Sequence, residues 1–258
     1  MSDKSATYVY CVAKCARAPR VVRAPKGLEG AGRPRVLDAG DGYHLVAATA
    51  PLALYDAPAI DAKLRDLDWV AARAAEHEAV VEHALRLGTV VPMKLFTLSS
   101  NDDRALAHVK RLGRSLDRVV ERISGCEEWG LRVLLDEARA ARALAAGASR
   151  RKIASGKDFL LRKKALDDER KSASAHGKAA VDALYERVAK LARRAQRRPA
   201  PNRELAGRVL LEAVFLVPSA SVEEVKAAVA LAADDLVAKG CDLTLSGPWP
   251  AYSFIGGR

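Results

Sequence analysis

Two α+β domains are predicted for this chain of 258 residues, and three observations predict them. The first half orders its elements as strand, strand, helix, strand, helix, strand, which suits an antiparallel-rich sheet with helices on one face. The second half repeats a strand–helix–strand order. The length is enough to bury one large core or two small ones. The boundary is expected after Asp136, giving an N-terminal domain of residues 1–136 and a C-terminal domain of residues 137–258.

Tyr8-Val9-Tyr10-Cys11-Val12 is rich in β-formers and reads as the opening strand. Glycines and prolines crowd residues 17–42, so a loop follows, with a short strand at Arg35-Val36-Leu37. Tyr43–Ala48 is the next strand, ending before Pro51. From Asp61 to Leu87 the residues Leu64, Leu67, Val70, Ala74, His77, Val81, Ala84 and Leu85 recur at the helical period, and Gly88 ends the helix. Val90–Phe96 is a strand in which Pro92 marks an edge or bulge, because proline donates nothing to a ladder. Asn101 caps a helix through Ser124, with Asp102 and Asp103 in its first turn. Trp129–Leu135 closes the unit as a strand. The arrangement looks ferredoxin-like with one extra early strand.

The second half opens with a helical stretch, Asp136–Ala146. A long basic helical region, Lys157–Arg197, follows, with an apolar seam of Val181, Leu184, Tyr185, Val188 and Leu191. Pro199-Ala200-Pro201 stops it. Arg208–Val217 is a strand, and Ser221 with Glu224 forms a capping box opening a helix to Lys239. Cys241–Leu245 alternates as the last strand, which the prolines of Gly247-Pro248-Trp249-Pro250 should stop. Residues Arg132–Asp136 and Arg208–Glu212 echo one another, a hint that the two halves are related.

Half of the residues are apolar and 29% are charged, as in ordinary globular proteins. Met1–Ser5 has no basic stretch running into an apolar one, and the uncharged stretch Gly42–Tyr55 is too short to span a bilayer. A cytoplasmic protein with no membrane partner is expected. The net charge of +11 is concentrated: residues 150–198 hold 16 Lys/Arg against 6 Asp/Glu. That basic segment is either a solvated helix face or a docking face for an acidic partner. As a nucleic-acid binder it lacks the aromatic platform that stacks single strands, since only Phe159 and Tyr185 interleave with the basic residues.

Catalytic and cofactor patterns are missing from the sequence. His77 and His83 are six apart and so roughly 120° apart around a helix, whereas a helical zinc pair needs a spacing of four. His77 reads as a core-edge histidine and His83 as solvated. Cys11 and Cys15 have no second pair to complete a zinc site, and no Gly-rich phosphate loop or Gly-x-Ser-x-Gly elbow occurs. Glu127 and Glu128 are adjacent on a strand and face opposite sides. Cys11 and His44 fall on neighbouring strands, where core packing explains both. No catalytic, metal or cofactor site is expected. The C-terminal segment 247–254 stands out instead, because three of thirteen aromatics, Trp249, Tyr252 and Phe254, gather there on a proline-stiffened tail. They either lie over their own domain or anchor a partner; Pro92, Trp249, Tyr252 and Phe254 are the candidate contact residues.

Four blocks in order resemble one family. They are His77–Val81 with Gly88–Thr97, then Gly125–Val133, then Gly156–Lys164, and the aromatic tail Gly247–Phe254. Their order and spacing resemble the gas vesicle protein F/L family, GvpF and GvpL, over most of the chain. The resemblance implies a non-enzymatic accessory protein of gas vesicle assembly, located in the cytoplasm at the gas vesicle. It further implies binding to the small apolar shell protein and to other accessory proteins during nucleation or growth of the shell. The rival reading is a nucleic-acid-binding module acting through residues 150–198.

Overall fold

The computed structural model describes residues 4–16, 23–147, 177–200 and 207–256. The expected basic helix between residues 157 and 176, and the block at residues 156–164, lie outside them. The described chain is mixed α and β with two separate sheets. It divides into two compact units, Met1–Gly125 with Trp249–Arg258, and Cys126–Pro248.

In the first unit β1 (Ser5–Lys14), β2 (Arg35–Gly40), β3 (Tyr43–Pro51) and β4 (Thr89–Pro92) lie in the order β2-β3-β1-β4. A two-residue strand, β5 (Leu98–Ser99), also pairs with β1. The helices α1 (Leu52–Tyr55), α2 (Ala57–Lys63), α3 (Leu67–Ala84) and α4 (Asp102–Ile123) complete it. The two central strands are buried almost without a break, as strands covered on both faces are. Neighbouring residues of β1 show what covers them. Tyr8 hydrogen-bonds His77 on α3, while Thr7 donates to Asp102 on α4 at 2.6 Å. Successive strand residues point to opposite faces, so α3 and α4 lie on opposite faces of the sheet. The expectation of helices on one face is corrected here; the unbroken apolar run from Tyr8 to Ala13 was its visible sign.

Val80, Val81 and Ala84 of α3 pack against Tyr8, Tyr10, Cys11, Val46 and Ala48. At its start the expected stripe fails. Leu64 and Leu67 are exposed, because the chain turns at Asp66, whose carboxylate accepts from the Trp69 amide and begins α3 anew. Asn101 caps α4 as expected, accepting from the Arg104 amide at 2.9 Å. Gly113, at φ 39°, breaks α4 into two helical stretches joined by a kink. The strand expected through Phe96 stops at Pro92. The loop before β2 is held closely. Leu28 is buried and its amide donates to the Tyr10 hydroxyl at 3.0 Å. Gly27 has φ +78°, and a Cβ there would overlap that hydroxyl, so only glycine fits.

In the second unit β6 (Cys126–Leu135), β7 (Arg194–Arg197), β8 (Arg208–Pro218) and β9 (Cys241–Trp249) form the order β7-β8-β6-β9. Its helices are α5 (Glu137–Gly147), α6 (177–191) and α7 (Val222–Ala238). Trp129, Leu131, Val133, Ala213, Phe215 and Val217 form a core with Val181, Leu184 and Val188 of α6 and Val225, Val229 and Leu236 of α7. Both sheets therefore place the second, third, first and fourth strands of their unit side by side. The complete order β-α-β-β-α-β belongs to the second unit.

Several expectations change here. The strand expected to close the first sheet, β6, pairs with β8 instead. Its inward residues Trp129, Leu131 and Val133 match the apolar faces of α6 and α7. The echoing segments at 132 and 208 are neighbours in one sheet, not counterparts in two; Arg132 forks onto Glu212 across the register, at 2.5 and 2.9 Å. The Ser221 side chain makes no cap bond. It sits at φ −100°, ψ 1° at the end of a 3₁₀ turn rather than in the extended geometry a cap needs. The prolines do not stop β9, which continues to Trp249; it is the outermost strand, where a missing N–H is tolerated.

A buried hydrogen-bond chain ties α3 to the sheet. The Phe96 amide donates to the Tyr8 oxygen at 3.2 Å, and Tyr8 donates to His77 Nδ1 at 2.6 Å. His77 Nε2 then donates to the Met93 carbonyl at 3.2 Å. These partners assign the neutral Nε2–H tautomer. Burial pushes the imidazole down from 6.5 to about 4. Between those values the unfolded chain binds a proton that the folded chain does not, so stability falls as pH drops from 6.5 towards 4. The loss should reach about 3 kcal/mol. Urea unfolding across that window should show the slope in the natural sequence and a shallower one in His77→Gln; equal slopes would refute the assignment.

Candidate partner-binding site

The aromatic tail is built by a chain that cannot stay extended once it leaves β9. The Tyr252 amide donates to the Pro250 carbonyl at 2.7 Å and the Phe254 amide to the Ala251 carbonyl at 3.1 Å. The result is a single 3₁₀ turn, Tyr252–Phe254. Phe254 is 1% exposed and Ala251 6%. Arg122, in the last turn of α4, donates to the Phe254 carbonyl at 2.9 Å and to the Gly256 carbonyl at 3.2 Å. The Tyr252 ring is half-buried, and its hydroxyl is pushed well above the ordinary phenol value by burial and then by the Glu78 carboxylate of α3. Trp249 is different, at 43% exposed. The three rings thus divide: one is buried, one is half-buried, and one presents much of its surface to solvent.

Pro92 is the last residue of β4, the outermost strand of the first sheet, and pairs with Cys11. Its ring is buried. Pro92 and Tyr252 both belong to the first unit. Sequence reasoning missed the residues that hold the tail. Arg122 looks like any charged residue of an amphipathic helix, and Glu78 differs in no visible way from its acidic neighbours. It also missed Arg73, a buried arginine paired with Glu29 and, at 2.7 Å, with Glu76. This cluster fastens the loop before β2 to α3.

The described part of the basic segment departs from a single helix. α6 carries the expected seam, with Val181, Leu184 and Val188 buried. Arg194–Arg197, expected on that helix, form the edge strand β7 against β8. After Leu191 the apolar spacing changes from helical to alternating, and Ala195 alone of the strand packs on the core. Arg197 stacks on Tyr185 at 4.1 Å and pairs with Asp182 at 2.8 Å. Charged residues along an outer strand discourage unwanted pairing.

The remaining titratable groups have structural surroundings. Cys11 is fully buried and its thiol is pushed far up by desolvation, so a reactive thiolate is disfavoured. His44 stands opposite Ala13, not Cys11. Among the described residues no group of three or more His, Cys, Asp or Glu is arranged to hold a metal, and no helix is long and apolar enough to cross a membrane.

Known proteins resemble this architecture along nearly its whole length. Over 98% of this chain and 97% of the other, the fold is similar to a crystal structure of the gas vesicle protein GvpF from Anabaena sp. PCC7120, at a TM-score of 0.69 and 16% identity. A crystal structure of GvpF from Microcystis aeruginosa is similar over 97% of this chain and 99% of its own, at a TM-score of 0.66 and 13% identity. In sequence, the chain is 31% identical to gas vesicle protein L of Streptomyces sp. (strain CB03234), over 99% of this chain and 95% of that protein. The family model described as gas vesicle synthesis protein GvpL/GvpF matches residues 6–256. With that span matched, and the four sequence blocks falling inside it, the chain belongs to the GvpL/GvpF family of gas vesicle synthesis proteins.

Proposed function

We propose that this protein is a non-enzymatic accessory protein that binds the small apolar shell subunit, together with other accessory proteins, while the gas vesicle shell nucleates or grows. It would work in the cytoplasm and at the forming vesicle. The observation that carries the reading is membership of the gas vesicle family over residues 6–256. The surface chemistry suits it. A shell subunit that exposes apolar area before assembly needs a binder offering apolar contacts or an open strand edge. The candidate contacts are Trp249 and the β4 edge ending at Pro92. Leu54, Leu64 and Leu67 add exposed apolar area on the first unit, at 38%, 47% and 77% exposure. Tyr252 and Phe254 serve the same surface from below, by fixing the tail.

The aromatic residues should separate on substitution. Phe254→Ala removes a buried ring and should lower stability by about 3 kcal/mol in urea unfolding. Trp249→Ala should cost less stability than Phe254→Ala, since Trp249 is 43% exposed, yet weaken shell-subunit binding about tenfold. Equal binding by Trp249→Ala and the natural sequence would remove Trp249 from the interface.

Co-purification with the shell subunit at low and moderate salt tests the larger claim. Apolar contact predicts retention at both, whereas nucleic-acid binding falls steeply with salt. Reversing Arg193, Arg194, Arg197 and Arg198 to Glu should leave that retention unchanged. No retention at either salt concentration would refute the assembly reading.

A further inference from the structure

We propose that this protein associates head to tail with a second copy of itself, the outer face of α4 in one copy seating on the outer face of α7 in the next. The contact uses neither Trp249 nor the β4 edge, so its test stands apart from that of the assembly reading.

α4 sorts its charges by side. Two of its carboxylates turn to the sheet. Asp102 accepts from Thr7 and pairs with Arg35, both at 2.6 Å, and Asp117 accepts from the Tyr43 hydroxyl at 2.6 Å. The side away from the sheet is cationic. Arg104, Arg111, Arg114 and Arg118 are exposed there, and none has a carboxylate partner among the described residues. With the exposed Ala107 they recur at steps of three and four, which keeps residues on one side of a helix. Gly113 bends α4 between Arg111 and Arg114, and both arginines remain exposed.

α7 carries the counterpart. Val225, Val229 and Leu236 turn into the core. The opposite side holds Glu224, Ala227, Leu231, Asp234 and Ala238, all exposed and at the same steps. Lysines hold the flanking carboxylates, Lys226 on Glu223 at 2.7 Å and Lys239 on Asp235 at 2.6 Å. Glu224 and Asp234 have no cation among the described residues. Leu231, in the middle of the row, is 73% exposed, and Val237 nearby is 50% exposed. A helix that covers a core with one side is polar on the other, whereas α7 keeps apolar side chains on both.

Laid side by side in the same direction, the two rows match. Arg104 meets Glu224, Ala107 meets Ala227, Arg111 covers Leu231 with its methylene stem, and Arg114 meets Asp234. The paired arginines are ten residues apart, as are the paired carboxylates, which is about 15 Å along a helix. α4 belongs to the first unit and α7 to the second, so every copy carries one face of each kind. The contact therefore repeats from copy to copy, closing a ring or running on as a filament. One helix pair joined by exposed ion pairs is weak, and salt screens it.

Sedimentation over about a hundredfold range of protein concentration measures the association. The average mass of the natural sequence should rise with concentration, and less so in moderate salt. Arg104→Glu with Arg114→Glu should weaken association about tenfold, and so should Glu224→Arg with Asp234→Arg. Mixed in equal amounts, the two variants should associate as the natural sequence does, because each reversed face then meets a reversed counterpart. Leu231→Ala changes no charge and no buried side chain, and it should weaken association about tenfold. A natural sequence that stays monomeric would overturn the proposal. So would undiminished association in the charge reversals, or a monomeric mixture of variants that melt at the natural temperature. Should a reversal unfold the chain, Leu231→Ala decides, and its undiminished association refutes the contact. Association lost on nuclease treatment would give the cationic face to nucleic acid instead.

Discussion

The first unit depends on a neutral histidine. His77 can join Tyr8 to Met93 only while Nδ1 accepts and Nε2 donates, and burial keeps it in that state. The same bonds place the Met93–Phe96 loop, which follows Pro92 and ends β4. They also set the rotation of α3, because His77 faces β1 and its neighbour Glu78 is thereby turned towards the tail. A buried polar chain costs little when every member is satisfied and much when one is missing. The Met93–Phe96 loop is thus tied to the protonation state of one side chain.

Burial on both faces explains what was legible in this unit. A strand covered on one side alternates, and one covered on both sides does not. Tyr8-Val9-Tyr10-Cys11-Val12-Ala13 is unbroken, which marks a strand covered on both faces without naming the helices that cover it. The side-chain bonds of Thr7 and Tyr8 supply that information, and they depend on partners 95 and 69 residues away in the chain. Local signals fared well where the physics is local: Asn101 caps α4 with its own side chain. Ser221 had the same kind of signal and failed. The preceding 3₁₀ turn fixes its backbone in a geometry from which the hydroxyl makes no cap bond.

Strand partnership was the least legible feature. β6 has the composition of a strand that could join either sheet, and only the faces of α6 and α7 show which. The basic residues at 194–197 illustrate the same limit. Arginine fits a helix face and an outer strand equally well, so charge did not show the change of structure after Leu191. The change in apolar spacing did, but a four-residue strand contains only one inward residue, Ala195, to reveal it. The shared strand order of the two sheets was invisible as sequence, because the echoing segments belong to adjacent strands of one sheet.

Of the candidate site, the aromatic tail was legible and its division of labour was not. Composition and prolines located Trp249, Tyr252 and Phe254, but exposure separates them, and exposure is a property of the tertiary fold. The buried ring and the arginine fork fix the turn. An exposed aromatic on a floating tail would lose much of its binding energy to ordering. Trp249 sits at the end of a strand, with a clamped turn directly after it, so both sides of its backbone are already ordered. An exposed ring held in this way would give up less freedom to any partner than the same ring on a free tail.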